Sequence, residues 1–182
     1  METFKEFNNI NENINFTNES KSGLEGVKEY KDGLTPEIVK KKYPWLMSAK
    51  FKNAVIGEDR HYYGLVWYSG NWLDGTWESG IWEDGEWEKG IWQDGEWNGG
   101  YWYDGTWEDG EWSGGVWYDG TWEDGSWEDG RWEDGTWKNG TWYDGQWIYG
   151  TWKRGKWRGG EKLNQKTGEF ERSDEPPTED FD

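Results

Sequence analysis

Glu-Asp pairs recur along the middle of this chain, as in Thr121-Trp122-Glu123-Asp124-Gly125, Ser126-Trp127-Glu128-Asp129-Gly130 and Arg131-Trp132-Glu133-Asp134-Gly135. Paired carboxylates are the usual material of general acid–base catalysis, which needs two groups held in different environments so that their proton affinities diverge. Here the pair returns at equivalent places, so no one carboxylate stands apart; a solvated surface is the expected role. Asp119, Asp124, Asp129 and Asp134 would hold calcium only weakly if they stacked, and neither an EF-hand loop nor a glycine-aspartate nonapeptide repeat is present. His61 is the single histidine and cysteine is absent, so no imidazole–thiolate metal site can be assembled and no thiol nucleophile exists; a turn is the expected place for His61. The glycines keep a five-residue beat rather than the Gly-x-Gly-x-x-Gly spacing that cradles phosphate. The expectation is a protein that is not an enzyme and uses neither cofactor nor metal.

Charge and aromatic content point to binding. The formal charge is −18, placed unevenly. Residues 1–70 balance 10 acidic against 10 basic side chains, whereas residues 71–135 carry 19 Asp and Glu against only Lys89 and Arg131. Lys153, Arg154, Lys156 and Arg158 then form a basic cluster between Trp152 and Trp157. Interleaved in this way they could touch nucleic acid, or they could simply finish an acidic rod. The acidic body would repel DNA phosphates and anionic membranes, so its expected partner is a cationic protein or a neutral polymer. Asp119, Glu123, Asp124, Glu128, Asp129, Glu133 and Asp134, with the four basic residues, are the candidate interaction surface.

The elements that must position these groups come from one repeat. Trp67, Trp72, Trp77, Trp82, Trp87, Trp92, Trp97, Trp102, Trp107, Trp112, Trp117, Trp122, Trp127, Trp132, Trp137, Trp142, Trp147, Trp152 and Trp157 follow one another every five residues, each with glycine three places on. Other apolar residues are scarce, so these indoles are the candidate core. A short fixed period means one unit stacked many times.

Two folds compete for a five-residue unit. Asp-Gly pairs, which end ten of the eighteen full pentads, favour turns, and three-residue strands between them suggest an antiparallel meander. Alternate residues of an antiparallel strand address opposite neighbours, so two-residue turns at both ends demand an even strand length, and three is odd. The meander would also line up every indole on one face, exposing several thousand Å² at roughly 200 Å² each. That face would be a carbohydrate platform or a cation–π surface. In a solenoid each pentad is one side of a coil, strands pair in parallel above and below, and tryptophan points inward with glycine beside the corner.

Upstream, Ala49-Lys50-Phe51-Lys52-Asn53 and Ala54-Val55-Ile56-Gly57-Glu58 have the small-x-large-x-x pattern of the pentapeptide-repeat family, and residues 70–160 keep its register with Gly for Ala and Trp for Leu or Phe. The chain thus resembles that family in a Trp/Gly variant. The resemblance implies an all-β, right-handed quadrilateral β-helix with four pentads per coil. About twenty-one pentads would make roughly five coils, a rod of about 25 Å. MORN repeats, antiparallel hairpin units that contain Trp-x-x-Gly, are the alternative resemblance. Arrays of this kind also look like proteins of tailed bacteriophages, and the Met1–Glu12 leader is similar to cleaved head-targeting leaders of large phages.

The expected organisation is a flexible Asn/Lys-rich leader at 1–33, in which Phe4, Phe7 and Ile10 would form a short apolar stripe, and a short helical cap at 34–48 started by Thr35-Pro36. A pentad-repeat β domain at 49–160, with an irregular bulge at 61–65, and a disordered acidic tail at 161–182 would follow. The expected function is a non-enzymatic structural or binding repeat protein, phage-encoded, in the host cytoplasm or the virion. Its partner would be a virion component or a basic DNA-handling protein; no membrane and no direct DNA binding by the acidic body are expected, while oligomers are allowed. The alternatives are an acidic DNA mimic that inhibits a host DNA-binding protein and a carbohydrate-binding module that uses exposed tryptophan.

Overall fold

A computed structural model describes residues 23–61 and 64–178; the leader motif and its apolar stripe lie outside the described residues. The array is a β-solenoid in which residue i pairs in parallel with residue i+15, so that Trp107 lies over Trp92 and under Trp122. Each coil therefore has three pentads and three sides, not the four of a quadrilateral helix, and the nineteen tryptophans make about six coils rather than five. At one strand spacing per coil the stack is ~30 Å tall.

Residue size explains the triangle. Facing sheets pack ~10 Å apart, too close for two opposed indoles, whereas in a triangle each side faces a corner. The corner residue is glycine, and the Nε1–Cζ2 edge of the indole reaches into the space it leaves. At Gly130 an added Cβ would lie 3.2 Å from Cζ2 of Trp127 and 3.2 Å from Nε1 of Trp112. Within a coil, successive indoles meet edge to face at 5.7–6.1 Å and 70–82°. Between coils they stack at 4.7–5.1 Å and 4–7°. Trp67 to Trp142 are fully buried, and Trp147 and Trp152 nearly so.

Glycine at the corner does more than shed a methyl group. Gly120 has φ +120°, and a Cβ there would lie 2.5 Å from the carbonyl oxygen of Gly105 beneath it. That oxygen accepts the Thr121 backbone N–H at 2.8 Å, and the Glu123 N–H donates to the Trp107 carbonyl at 2.8 Å. These rungs repeat up the array. Parallel strands normally need a crossover of a dozen or more residues, and here the other two sides of the coil supply it. The rungs are two-residue strands, β4 (Thr76–Trp77) to β20 (Lys156–Trp157).

Both ends are closed. The 49–58 segment does not form pentad sides: β2 (Lys50–Glu58) is one long strand, antiparallel to β3 (Leu65–Asp74). Asn53 at φ +57° and shifts of register beside it absorb the mismatch. Phe51 and Ile56 still face the core, which is why the segment imitates the repeat. β3 bends through Gly70 from the first side to the second, with Trp67 under Trp82 and Trp72 under Trp87. His61 lies in the loop between β2 and β3, a turn position as expected.

Residues 23–33 are ordered structure, not a flexible leader. A 3-10 turn (Gly23–Gly26) leads into β1 (Val27–Tyr30), which pairs in parallel with β2. Helix α1 (Pro36–Lys42) starts as expected, with Thr35 Oγ1 accepting from the Ile38 N–H at 3.3 Å. The 3-10 turn Pro44–Met47 lays Trp45 against Trp77 at 5.1 Å and Trp72 at 6.3 Å.

At the far end, the expected disordered tail is instead a hairpin through residue 172. β21 (Glu161–Leu163) pairs in parallel with β18 (Gln146–Trp147), and β22 (Phe170–Arg172) folds back on β21. Lys162 stands where the next indole of that side would be. Trp157 donates Nε1–H to the Ser173 carbonyl at 2.8 Å, and Arg172 pairs with Asp144 at 3.1 Å.

Two measurements check this architecture. Tryptophan emission will be shifted to the blue of the free indole and protected from acrylamide until unfolding. Gly120→Ala will cost at least about 2 kcal/mol, because it combines a strained φ with a backbone clash. Gly114→Ala will be near neutral, since the nearest atom to its added Cβ is the Asn98 carbonyl oxygen at 3.6 Å. Equal losses at the two sites would contradict the corner geometry.

Candidate interaction surface

Because tryptophan and glycine point inward or pack at corners, the other three residues of each pentad form the outer surface. They stand in columns offset by fifteen residues. The aspartates once grouped in sequence are therefore split among three corners. Asp119 and Asp134 share a column with Asp104, Asp124 stands between Asp109 and Asn139, and Asp129 lies below Asp144. No single column holds all four candidate aspartates.

The role of these aspartates is local. In all ten Asp-Gly corners the Asp Oδ1 accepts the N–H of its own glycine, at 2.6–2.9 Å. This supplies a partner for a backbone donor at a tight bend. Asn139 Nδ2 donates to Asp124 Oδ2 at 2.8 Å one coil below. Among the described residues no group of three or more His, Cys, Asp or Glu is arranged to hold a metal ion.

The glutamates lie on the flat sides. Glu123 accepts from Lys138 Nζ at 2.8 Å, and Glu133 pairs with Arg131 at 2.6 Å. Burial, with Glu111 on the coil below, raises the Glu128 carboxyl above the usual carboxylate range. Lys153, Arg154, Lys156 and Arg158 all lie in the last coil, on the third side, the corner and the first side, so the basic cluster occupies one edge of the prism. The last coil and the hairpin enclose a cleft of about 950 Å³ lined by Ile148, Lys153, Lys162, Leu163, Lys166 and Arg172 among others. Its cations are already engaged in part: Lys162 donates to the Pro176 carbonyl at 3.3 Å and Arg172 binds Asp144.

Enclosure of the indoles removes the tryptophan-based sugar platform from the possible surfaces. Sequence reasoning missed a different aromatic group. On the second side, Tyr101 and Tyr103 flank Trp102, and Val116 and Tyr118 flank Trp117 on the next coil. The Tyr103 and Tyr118 rings stack at 5.1 Å and 5°, and all three tyrosines are exposed. The fifteen-residue spacing of Tyr103 and Tyr118 was the available signal, readable only once a coil was known to hold three pentads.

His61 lies apart, its side chain 91% exposed and 3.8 Å from Asp59. At the N-terminal cap Glu58 accepts from Lys42 and Tyr43, and the Lys42 bond above all holds its carboxyl below the usual range. Among the described residues no helix is long and apolar enough to cross a membrane. No known protein family, curated protein or solved structure matches the chain.

Glu128 and Glu58 have opposite pH signatures. Glu128 has a raised folded-state affinity for its proton, so its contribution is most favourable below the ordinary glutamate value and is lost as pH rises through the folded one. Glu128→Gln will therefore raise Tm at neutral pH, with the gain fading near pH ~4. Glu58, with a lowered value, stabilises above the ordinary range and loses that contribution in acid, so Glu58→Gln will lower Tm at neutral pH only. Thermal melts of the two variants across pH check both signs.

Proposed function

We propose that this chain is a non-enzymatic structural and binding protein, a rigid acidic prism that presents side chains to a partner. One observation carries the reading: the interior is filled by tryptophan, and the polar groups occupy equivalent outer positions around it. Catalysis needs a few groups in distinct surroundings, and a repeated exposed Glu or Asp does not provide them. A stack of coils tied by short rungs instead gives a stiff spacer with a surface that can vary independently of its core.

The resemblance of the Met1–Glu12 segment to phage head-targeting leaders supports a virion-associated role, with the host cytoplasm as the place of synthesis. Mass spectrometry of purified particles after cleavage at acidic residues tests it, since Lys and Arg are too sparse within 71–135 for informative tryptic peptides. Peptides spanning the array are expected in the particle fraction; their absence from particles while the protein accumulates in infected cells would remove the virion role.

DNA mimicry is the second reading, favoured by the ladders of carboxylates repeating at the coil spacing. A ~30 Å rod covers only about nine base pairs at 3.4 Å each, which limits it to a short groove. Competition between this protein and duplex DNA for a basic DNA-handling protein separates the two readings.

A further inference from the structure

The second side of the prism carries a surface that the repeat does not require. Ten of the eighteen corners carry aspartate before the corner glycine; Gly159 in the last coil carries no side chain there, nor do Gly99 and Gly114, one coil apart. Neither Gly99 nor Gly114 has the left-handed backbone of the true corner glycines. A Cβ at Gly99 would come no closer than 3.4 Å to the Glu83 carbonyl oxygen, and one at Gly114 no closer than 3.6 Å to that of Asn98. The fold therefore accepts a side chain at both places, and at ten other corners it has an aspartate that bonds the next N–H. The lack of any side chain at these two, one coil above the other, gives up that bond and leaves a shelf of bare backbone.

The shelf lies beside the tyrosines. Gly99-Gly100 leads directly into Tyr101-Trp102-Tyr103, and Gly114-Gly115 leads into Val116-Trp117-Tyr118. Tyr101 also reaches Tyr118 across the coils, at 6.5 Å and 22°. On the other side of the shelf stand the short polar side chains Asn98 and Ser113. Two independent features, exposed aromatic rings and glycines not demanded by packing, thus coincide on the same two coils.

The surrounding charge selects the occupant. Glu86 and Glu88 lie on the coil below, and Asp104 and Asp119 lie along the corner that follows the tyrosines. The nearby cations are already paired, Lys89 with Asp74 at 3.6 Å and Arg131, on the next coil of the same side, with Glu133 at 2.6 Å. Burial and the negative field of Glu86, Tyr118, Glu88 and Tyr101 raise the Tyr103 phenol. A cation held among carboxylates and π-systems gains from both.

We propose that Tyr101, Tyr103 and Tyr118, with the shelf at Gly99 and Gly114, form a docking platform for an arginine- or lysine-bearing segment of a protein partner. This rests on the binding-protein reading above and gives it a place and a partner chemistry. The segment lies along the shelf, its backbone close to the bare corners, and its cationic side chains meet the phenol rings and the carboxylates around them.

The test uses the full chain and a short synthetic peptide of alternating arginine and glycine, with binding followed by calorimetry at two salt concentrations. Tyr103→Ser/Tyr118→Ser leaves the net charge unchanged and is expected to weaken binding about tenfold. Gly99→Asp/Gly114→Asp restores the usual corner residue and adds two negative charges. If the peptide senses only the charge of the rod, this variant will bind more tightly; if it occupies the shelf, it will bind several-fold more weakly despite the added attraction. Weakening in both variants supports the platform. Tighter binding by the aspartate variant, indifference to loss of the tyrosines, or no binding by the wild type at low salt would overturn it. Binding of neutral oligosaccharides at the same tyrosines in place of the peptide would overturn the partner assignment. Acrylamide protection and cooperative melting of each variant report the scaffold separately, so a failed platform with an intact prism leaves the structural reading in place.

Discussion

Parallel contact of indole on indole, repeated at the pitch of the β-sheet, governs everything else in this molecule. Ring separations of 4.7–5.1 Å and strand pairing along the same columns satisfy one spacing, so aromatic stacking and backbone hydrogen bonding reinforce each other. Burying about 200 Å² of indole stabilises by up to about 5 kcal/mol per residue. Against this, the Nε1–H of Trp67 to Trp142 has no hydrogen-bond acceptor, at about 1–3 kcal/mol for each such donor. Burial wins at every level, though by a margin that leaves little tolerance for a poorly placed ring.

Glycine is the other half of that arrangement. A core of one large residue type would usually pack badly, because identical bulky groups cannot interdigitate. Here size alternates around the perimeter: indole in the middle of each side, no side chain at each corner. The edge carrying Nε1 and Cζ2 enters the corner space, and the edge-to-face contacts close the centre of the triangle. Positive φ at the corner turns the chain while its carbonyl remains available to the next coil. Tryptophan and glycine are thus one structural unit rather than two independent preferences.

Much of this was legible in the residues, but not the number of sides. A five-residue period dictates a side length and an inward tryptophan, and it excludes an even-parity meander; three or four sides per coil produce the same pattern. The discriminating marks recur at fifteen: Thr106, Thr121, Thr136 and Thr151 stand in one column, and Gly-Gly returns at 99–100 and 114–115. The end structures were harder to read because they are built without the repeat. Ala49 to Glu58 has inward Phe51 and Ile56 at pentad spacing, yet its partner is an antiparallel strand, a long-range choice that local pattern cannot express. In the C-terminal segment, charged composition suggested disorder, but the open rung of β18 offers hydrogen bonds that a polar strand can take.

Separation of core from surface has a functional consequence. The contacts that hold one coil on another are made by tryptophan, glycine and the backbone, so exposed positions away from the corners can change at a cost typically within ±0.5 kcal/mol. Acid ladders, a tyrosine group and a basic edge can then coexist on one prism without competing for its stability. What limits them is geometry: each substitution enters a column with neighbours one coil above and below. Glu128, raised by burial and then by Glu111 on the coil below, shows the penalty, and Glu123 with Lys138 shows its relief. Function on such a scaffold is therefore written in pairs fifteen residues apart, and the Tyr103–Tyr118 stack beside two unobliged glycines is where that spacing departs most clearly from what the core demands.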